Sequence, residues 1–570
     1  MTTRTLHIAL PSGAWCIEER ENKTLTEQLG GIGRSLAWVH DHCERVADPF
    51  APQNPLIINI GVLTGSKVMT GLRTYFTAFS PLKRSIKDDP GIMYSAASGN
   101  LGQEIAFTGI HDIIIRGACE KLSYLWIEGA DGNVTVELRD ATPIQMAPMS
   151  ARIRWMQDQR PGGHYAVIGP AGEVGVRYAC IGCSTDRQTL KGEKFMRFAG
   201  RGGLGAVMGS KNLLAVGVKG LNRAQRDFPK AILQPLNKDI ARGEETSKYR
   251  DHGTWRYNIE ALTGPKGGLP VFNFSHANHP DAKRLYTHAV EQTHRVTDEN
   301  CVQCGIKCWK IVNTKDGTPL AKVDYEPCCL LGPNLGIFDI GQICELIWLC
   351  DDGGVDAITM GGVLGYMMEN QLDGLTFGDF AGAKRVIEDV CCGRNKFAAL
   401  GVKAMSEQTG IKHNAMHVHG LELAAYLGNT DPAAAFAIAG NHMSMATYGL
   451  AANKGVSTLE GWLDAIPNVG LVTLLNDMSG VCKFAKVDAK EHALLLNALG
   501  IHCTPEDLKR ACLDIYKLAR AIDKRQGFTA EDDVLPDRCH APIPGQGIPQ
   551  FNTREFFSAL KAKVYERLGL

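Results

Sequence analysis

The chain has 570 residues, 44% hydrophobic and 21% charged, with 61 basic and 61 acidic side chains and a formal net charge of zero. That balance argues against a broad phosphate-binding surface, so no nucleic-acid partner is expected. No run of about 18 uninterrupted apolar residues suggests a membrane span.

In chain order, LHIAL, LIINIGVL, DIIIRG, LSYLWIEG and VTVELRD are short apolar runs broken by Gly, Asp or Asn, and they predict strands. AVGVKG, near 215–220, marks the end of this texture. Beyond it, FPKAILQPLNKDIARG, GQICELIWLCDDGG, FAGAKRVIEDVCC, LVTLLNDM and KEHALLLNALG place apolar residues three and four apart, as helices do. The expected fold class is α+β: a β-rich N-terminal domain, residues 1–217, followed by two mostly helical domains, 218–420 and 421–570.

The polar start MTTRTLHIALPSGAW does not read as a secretory leader. The 18 cysteines cluster instead of spreading as a disulfide framework. In a reducing compartment such thiols serve metals, and a cytoplasmic protein is expected.

DENCVQCGIKCWK sets Cys301, Cys304 and Cys308 in a C-x2-C-x3-C arrangement. Three thiolates so close can hold three irons of one cubane, with a fourth ligand from elsewhere. Zinc is the alternative metal, although no matching couple of cysteines follows closely; three buried thiols are the bland reading. A hexad occurs twice in the helical half, as Asp351–Asp356 (DDGGVD) and as Asp477–Cys482 (DMSGVC). An Asp followed by a Gly turn offers a carboxylate and free backbone amides to a polar heterocycle. Acidic-Gly turns also simply end many helices, but the pair, with Cys482 available as fourth thiolate, is harder to ascribe to chance.

These motifs resemble those of the aldehyde:ferredoxin oxidoreductase family, and the resemblance runs over nearly the whole chain. It implies a [4Fe–4S] cluster held by Cys301, Cys304, Cys308 and Cys482. It also implies a tungsten or molybdenum bis(molybdopterin) bound at the two hexads through Asp351, Val355, Asp356, Asp477 and Val481, with Val355 and Val481 in place of the family's Leu. The most specific match is RFAGRGGLGAVMGSKNLLAV, Arg197–Val216. Its Gly200, Gly202, Gly203, Gly205 and Gly209 are expected to let the backbone approach phosphates and pterin edges, with Arg197, Arg201 and Lys211 as cationic donors. RTYFTAFSPL gives Arg73 the place of an arginine between cluster and pterin. Ala96 and Phe198 align with the residues whose backbone carbonyls meet a Mg2+ ion bridging the pterin phosphates.

By the same resemblance Glu326, in VDYEPCCLLGPNLGIFD, is the acid/base group; a buried carboxylate near a metal centre can have a raised pKa. A solvent-facing Glu at a helix start is the plainer alternative. The family's second pocket residue, a His, does not align cleanly with FAIAGNHMSMATYG. Met445 or Ala446 falls at its place, and His442 stands a few residues earlier as the candidate. Tyr426-Leu427-Gly428-Asn429 also replaces the family's Y-D-P-R. Cys180, Cys183, Cys391 and Cys392 read as ordinary buried thiols, whereas Cys328 and Cys329 follow Glu326 closely enough to reach metal or substrate. His413, His417 and His419 have metal-site spacing but more commonly form a surface cluster.

The implied activity is oxidation of a small aldehyde to a carboxylic acid, with electrons passing through the cluster to ferredoxin or a ferredoxin-like iron–sulfur subunit, in a homo- or hetero-oligomer. Two alternatives stand beside it: reduction of an aromatic acyl thioester within a larger complex, and a non-catalytic cluster-bearing electron-transfer subunit.

Overall fold

A computed structural model describes residues 2–265 and 267–570. Twelve strands fill the first 220 residues: β1 Thr2–Ala9, β2 Ala14–Glu21, β3 Leu56–Ile60, β4 Thr74–Arg84, β5 Pro90–Ala97, β6 Asp112–Arg116, β7 Ser123–Ala130, β8 Asn133–Asp140, β9 His164–Ile168, β10 Ile181–Cys183, β11 Arg197–Ala199 and β12 Leu213–Gly220. They form two six-stranded sheets, in the orders β2-β1-β6-β3-β4-β5 and β11-β10-β9-β12-β7-β8. Most neighbours are antiparallel; β1 runs parallel to β6, and β7 parallel to β12.

Local sequence explains the pattern. The continuous apolar run LIINI is buried throughout as β3, at the centre of its sheet. NVTVELRD buries little and forms the outer strand β8. Asp131-Gly132, with φ of 53° and 86°, makes the two-residue turn that joins β7 to β8.

Beyond Gly220 helices dominate, as the α+β expectation had it. The domain boundaries need correction. Position 217 falls inside β12, and the division between 420 and 421 cuts a short hairpin that pairs His417 with Glu422 and Val418 with Leu421. One apolar core contains residues from Leu6 to Leu568, so the helical half packs continuously against the sheets. A second, smaller cluster, including Trp126, Met149 and Tyr165, fills the far side of the β7–β12 sheet.

One further element positions chemistry. Arg295–Glu299, Trp309–Asn313 and Pro319–Val323 form a three-stranded antiparallel sheet. The loop between its first two strands carries the three clustered cysteines. Glu326 sits in the first turn of the helix Tyr325–Leu330, which follows the third strand.

Candidate functional site

Both hexads close a helix and dock it onto the N-terminal half. The helix Ile340–Gly353 ends at Gly354, whose φ of 83° suits glycine. There Cys180 donates its N–H to the Gly354 carbonyl at 2.9 Å, and Asp356 donates to Tyr178 at 3.0 Å. A Cβ on Gly354 would lie 2.7 Å from Gly169, so this contact needs glycine. The helix Leu474–Ser479 ends at Gly480, φ 95°. Leu63 donates to Ser479 at 2.8 Å, and Arg73 to Gly480 at 3.2 Å. One hexad therefore meets the β9–β10 connection and the other the β3–β4 connection.

Between them lies a cavity of about 320 Å3. Its walls include Arg73, Ala96, Arg197, Phe198, Gly200, Arg201, Glu326, Asp351, Val355, Asp356, His442, Asp477 and Val481, which are expected site residues. Lys322, Asp324, Lys483 and Tyr448 line it as well, and the sequence reading did not single them out. Lys483 directly follows Cys482 and Tyr448 lies in the run searched for the pocket His, so both were within reach of the motifs.

The lining carries several charged side chains among apolar ones. Asp356 accepts from the backbone amides of Ile358 and Thr359, capping the helix Ala357–Glu369, and its carboxylate is 3.5 Å from Arg201 Nε. Asp477 accepts from the Tyr94 hydroxyl at 2.9 Å and pairs with Lys483 at 2.8 Å. Burial pushes the Asp351 carboxyl up to about 7, against the pull of Lys322. Arg197 donates from Nε to Ser98 at 2.7 Å and lies over the Trp309 ring at 4.8 Å. Nη1 of Arg197, Nη1 of Arg201 and Nδ1 of His442 are buried without a hydrogen-bond partner. Buried donors left unpaired cost free energy, so this wall is built to receive a polar or anionic group.

The four thiols are not among the lining residues; they gather beyond Arg73 and Arg197, which line the cavity and feel the charges of Cys482, Cys301 and Cys308. All four thiols are partly buried. Arg73 donates from Nη2 to Cys482 Sγ at 3.0 Å, and the same guanidinium is held charged by both Cys482 and Cys301. Cys301 donates to Ser98, the acceptor of Arg197. Burial pushes the Cys304 thiol up to about 12 and raises Cys308 as well, and each feels the charges of Cys301 and Cys482. Cys482 behaves differently: burial opposes its ionisation, but Arg73 and the Phe484 amide hold the thiol below its usual value. Segments far apart in sequence thus meet around one volume. Among the described residues no group of three His, Cys, Asp or Glu side chains is placed to hold a metal ion.

Glu326 is, with Asp351, a lining carboxylate held near neutrality. Burial pushes it up to about 7, aided by Asp324 and opposed by Arg201. It is not a solvent-facing helix-start residue. His442 reaches the cavity despite its offset in the sequence, while Met445 is buried in the core. Burial, with Arg201 and Lys483 nearby, lowers the His442 pKa well below the usual histidine value, so the ring is neutral.

Some expected residues serve the protein instead. Lys211 donates to the carbonyls of Pro52 and Gly117, away from the cavity. Gly202 packs against Met93, and Gly203, Gly205 and Gly209 abut the carbonyls of Arg177, Cys180 and Gly172. Of that run, Gly200 alone lines the cavity, so the close approaches are chain to chain. Cys328 and Cys329 are fully buried core residues outside the lining, whereas Cys180, expected to be ordinary, lines it. His419 is bonded to Asp533 at 3.0 Å.

Comparison with known proteins places this geometry. The family model for the aldehyde ferredoxin oxidoreductase N-terminal domain matches residues 5–220, and that for domains 2 and 3 matches residues 231–570. A tungsten-containing aldehyde ferredoxin oxidoreductase of Pyrococcus furiosus is 29% identical over 95% of this chain and 92% of its own. The WOR-like subunit of an aliphatic sulfonate oxidoreductase from the same organism is 27% identical, over 95% and 89%. The active-site complex BamBC of benzoyl coenzyme A reductase shares the fold, with a TM-score of 0.77 at 18% identity, over 99% of this chain and 94% of that one. With both halves matched, the chain is an oxidoreductase belonging to the aldehyde ferredoxin oxidoreductase family.

Proposed function

We propose that this chain oxidises an aldehyde to the carboxylic acid at a tungsten or molybdenum bis(molybdopterin) centre. Electrons leave through a [4Fe–4S] cluster to ferredoxin or a ferredoxin-like subunit. The supporting observation is the shared cavity: two acidic-Gly turns, unpaired guanidinium nitrogens and a carboxylate titrating near neutrality lie together, with the clustered thiols gathered behind Arg73 and Arg197. Relatives named as tungsten-containing support the choice of cofactor.

The donor set fits that group. Arg197, Arg201, Asp351, Asp356 and Asp477, with the turns that end in Val355 and Val481, would hold the pterins. The carbonyls of Ala96 and Phe198 would hold a bridging Mg2+, and Cys301, Cys304, Cys308 and Cys482 the cluster. The bound metal supplies two-electron redox capacity and a Lewis acid.

The chain's own residues do the rest. Conversion of an aldehyde plus water to an acid releases two protons and two electrons. Glu326, poised near neutrality, takes a proton as the hydrated carbon is oxidised. Neutral His442 offers one ring nitrogen as donor or acceptor to the substrate oxygen. Arg73, bonded to Cys482, would offset the negative charge of a cluster held at these thiols. The clustered thiols suit a reducing compartment such as the cytoplasm.

The test is anaerobic assay of purified protein with aldehydes and a low-potential dye, with an aryl-CoA thioester run alongside. Aldehyde-dependent dye reduction is expected. Turnover of the thioester alone would replace this reading with acyl reduction.

A further inference from the structure

Three tyrosines stand together beside Glu326. Tyr325 immediately precedes it, fully buried, with its hydroxyl donating to the Ala425 carbonyl. Tyr426 leans against Tyr325 at 5.4 Å between ring centroids and 53° between planes. Tyr448 stacks on Tyr426 at 4.2 Å and 25°. Tyr325 and Tyr426 are buried, whereas Tyr448 is half-exposed and lines the cavity.

The segment that carries Tyr448 is fixed from beneath. Asp431 is fully buried. It accepts from the Thr447 hydroxyl at 2.7 Å and from the Asn441 amide at 3.3 Å. Those two residues are the chain neighbours of Tyr448 and His442. One carboxylate therefore pins both ends of the stretch that presents these side chains to the cavity. A ring backed on one face by a second ring, with its chain neighbour tied to a buried carboxylate, is a rigid apolar wall; it is not a loose surface side chain.

Given the aldehyde-oxidising reading above, we propose that Tyr448 determines substrate preference. Its ring is the wall against which a flat, conjugated aldehyde lies, so aromatic aldehydes are favoured over branched aliphatic ones. Aromatic rings attract one another by offset stacking beyond the area they bury, and a bulky tertiary carbon cannot lie flat on such a wall. The hydroxyl is not what selects, so phenylalanine preserves the effect and leucine abolishes it.

The experiment compares the holoenzyme with its Tyr448→Phe and Tyr448→Leu variants, using benzaldehyde and trimethylacetaldehyde as substrates. Calorimetric binding of benzoate and of trimethylacetate is measured on the same preparations. Tyr448→Leu is expected to lower kcat/KM for benzaldehyde, and the affinity for benzoate, by about 3- to 10-fold, from the usual worth of an aromatic pair. The trimethyl compounds should change less than about twofold, and Tyr448→Phe should match the wild type. An equal loss for both compounds, an unchanged ratio, or benzoate that does not bind the wild type would overturn the inference. If neither aldehyde is oxidised while benzoate still discriminates the variants, the aldehyde reading fails and the aromatic wall stands.

Discussion

Arg73 and Cys482 lie 409 positions apart in sequence, and their side chains meet at 3.0 Å, guanidinium nitrogen to sulfur. This bond ties the β3–β4 connection of the first sheet to the end of the second hexad. It also sets a fixed positive charge between the thiols and the cavity.

Replacing Arg73 with Met should therefore change electron transfer more than assembly. Without the cation, a cluster held at these thiols would lose stabilisation of its reduced, more negative state. Its reduction potential should fall, on the order of tens of millivolts, because net charge and hydrogen bonds to sulfur set such potentials. Redox titration followed by electron paramagnetic resonance checks this, with iron content unchanged. A variant with normal iron and an unmoved potential would deny Arg73 this role.

Glu326 should govern the pH profile. Its carboxyl is pushed up to about 7, chiefly by burial. As a proton acceptor it works only when ionised, so activity should climb as pH passes upward through that value. Glu326→Gln should lower kcat by about 10²- to 10⁴-fold, the usual worth of a placed acid or base, and remove the inflection. Steady-state rates from pH 5.5 to 9 settle it; an inflection that survives the substitution assigns the titration elsewhere.

Asp533 is a stability element. It accepts from Arg520 through both oxygens at 2.8 and 2.6 Å, from Tyr565 at 2.6 Å, and pairs with His419 at 3.0 Å. Burial opposes its charge, but His419 and Arg520 hold the carboxyl well below the usual range. A depressed folded-state pKa contributes stability above the unfolded value of about 3.9, and that contribution is lost as pH falls below it. Asp533→Asn should cost about 3–5 kcal/mol at neutral pH, as breaking one partner of a buried pair does. Denaturant melts should also show the variant less sensitive to acid than the wild type. Equal acid sensitivity in both would remove Asp533 from the account.

Much of this was legible in the sequence where chemistry demands a fixed spacing. The C-x2-C-x3-C loop, the two hexads and Glu326 stand out in the sequence because each depends on neighbours along the chain. The strand and helix patterns were visible for the same local reason. The glycine run misled: glycine is required wherever backbones approach closely, and here Gly203, Gly205 and Gly209 meet carbonyls of the chain itself. Lys211 donates to the carbonyls of Pro52 and Gly117, and a cation in a motif does not reveal which way it points. His442 could not be ranked above its neighbours, since the stretch from Gly428 to Gly449 is made of short turns whose course depends on packing. The hairpin at 417–422 hid the lack of a break between the two halves of the helical region, because tertiary continuity leaves no local mark.

The central claim is that the four thiols and the two acidic turns enclose one inorganic assembly. Elemental analysis of protein purified without oxygen tests it most directly. About four irons and about one tungsten or molybdenum per chain are expected, from a single cubane beside a single pterin-bound metal. Stoichiometric zinc at the thiols, or iron with neither tungsten nor molybdenum, would contradict it.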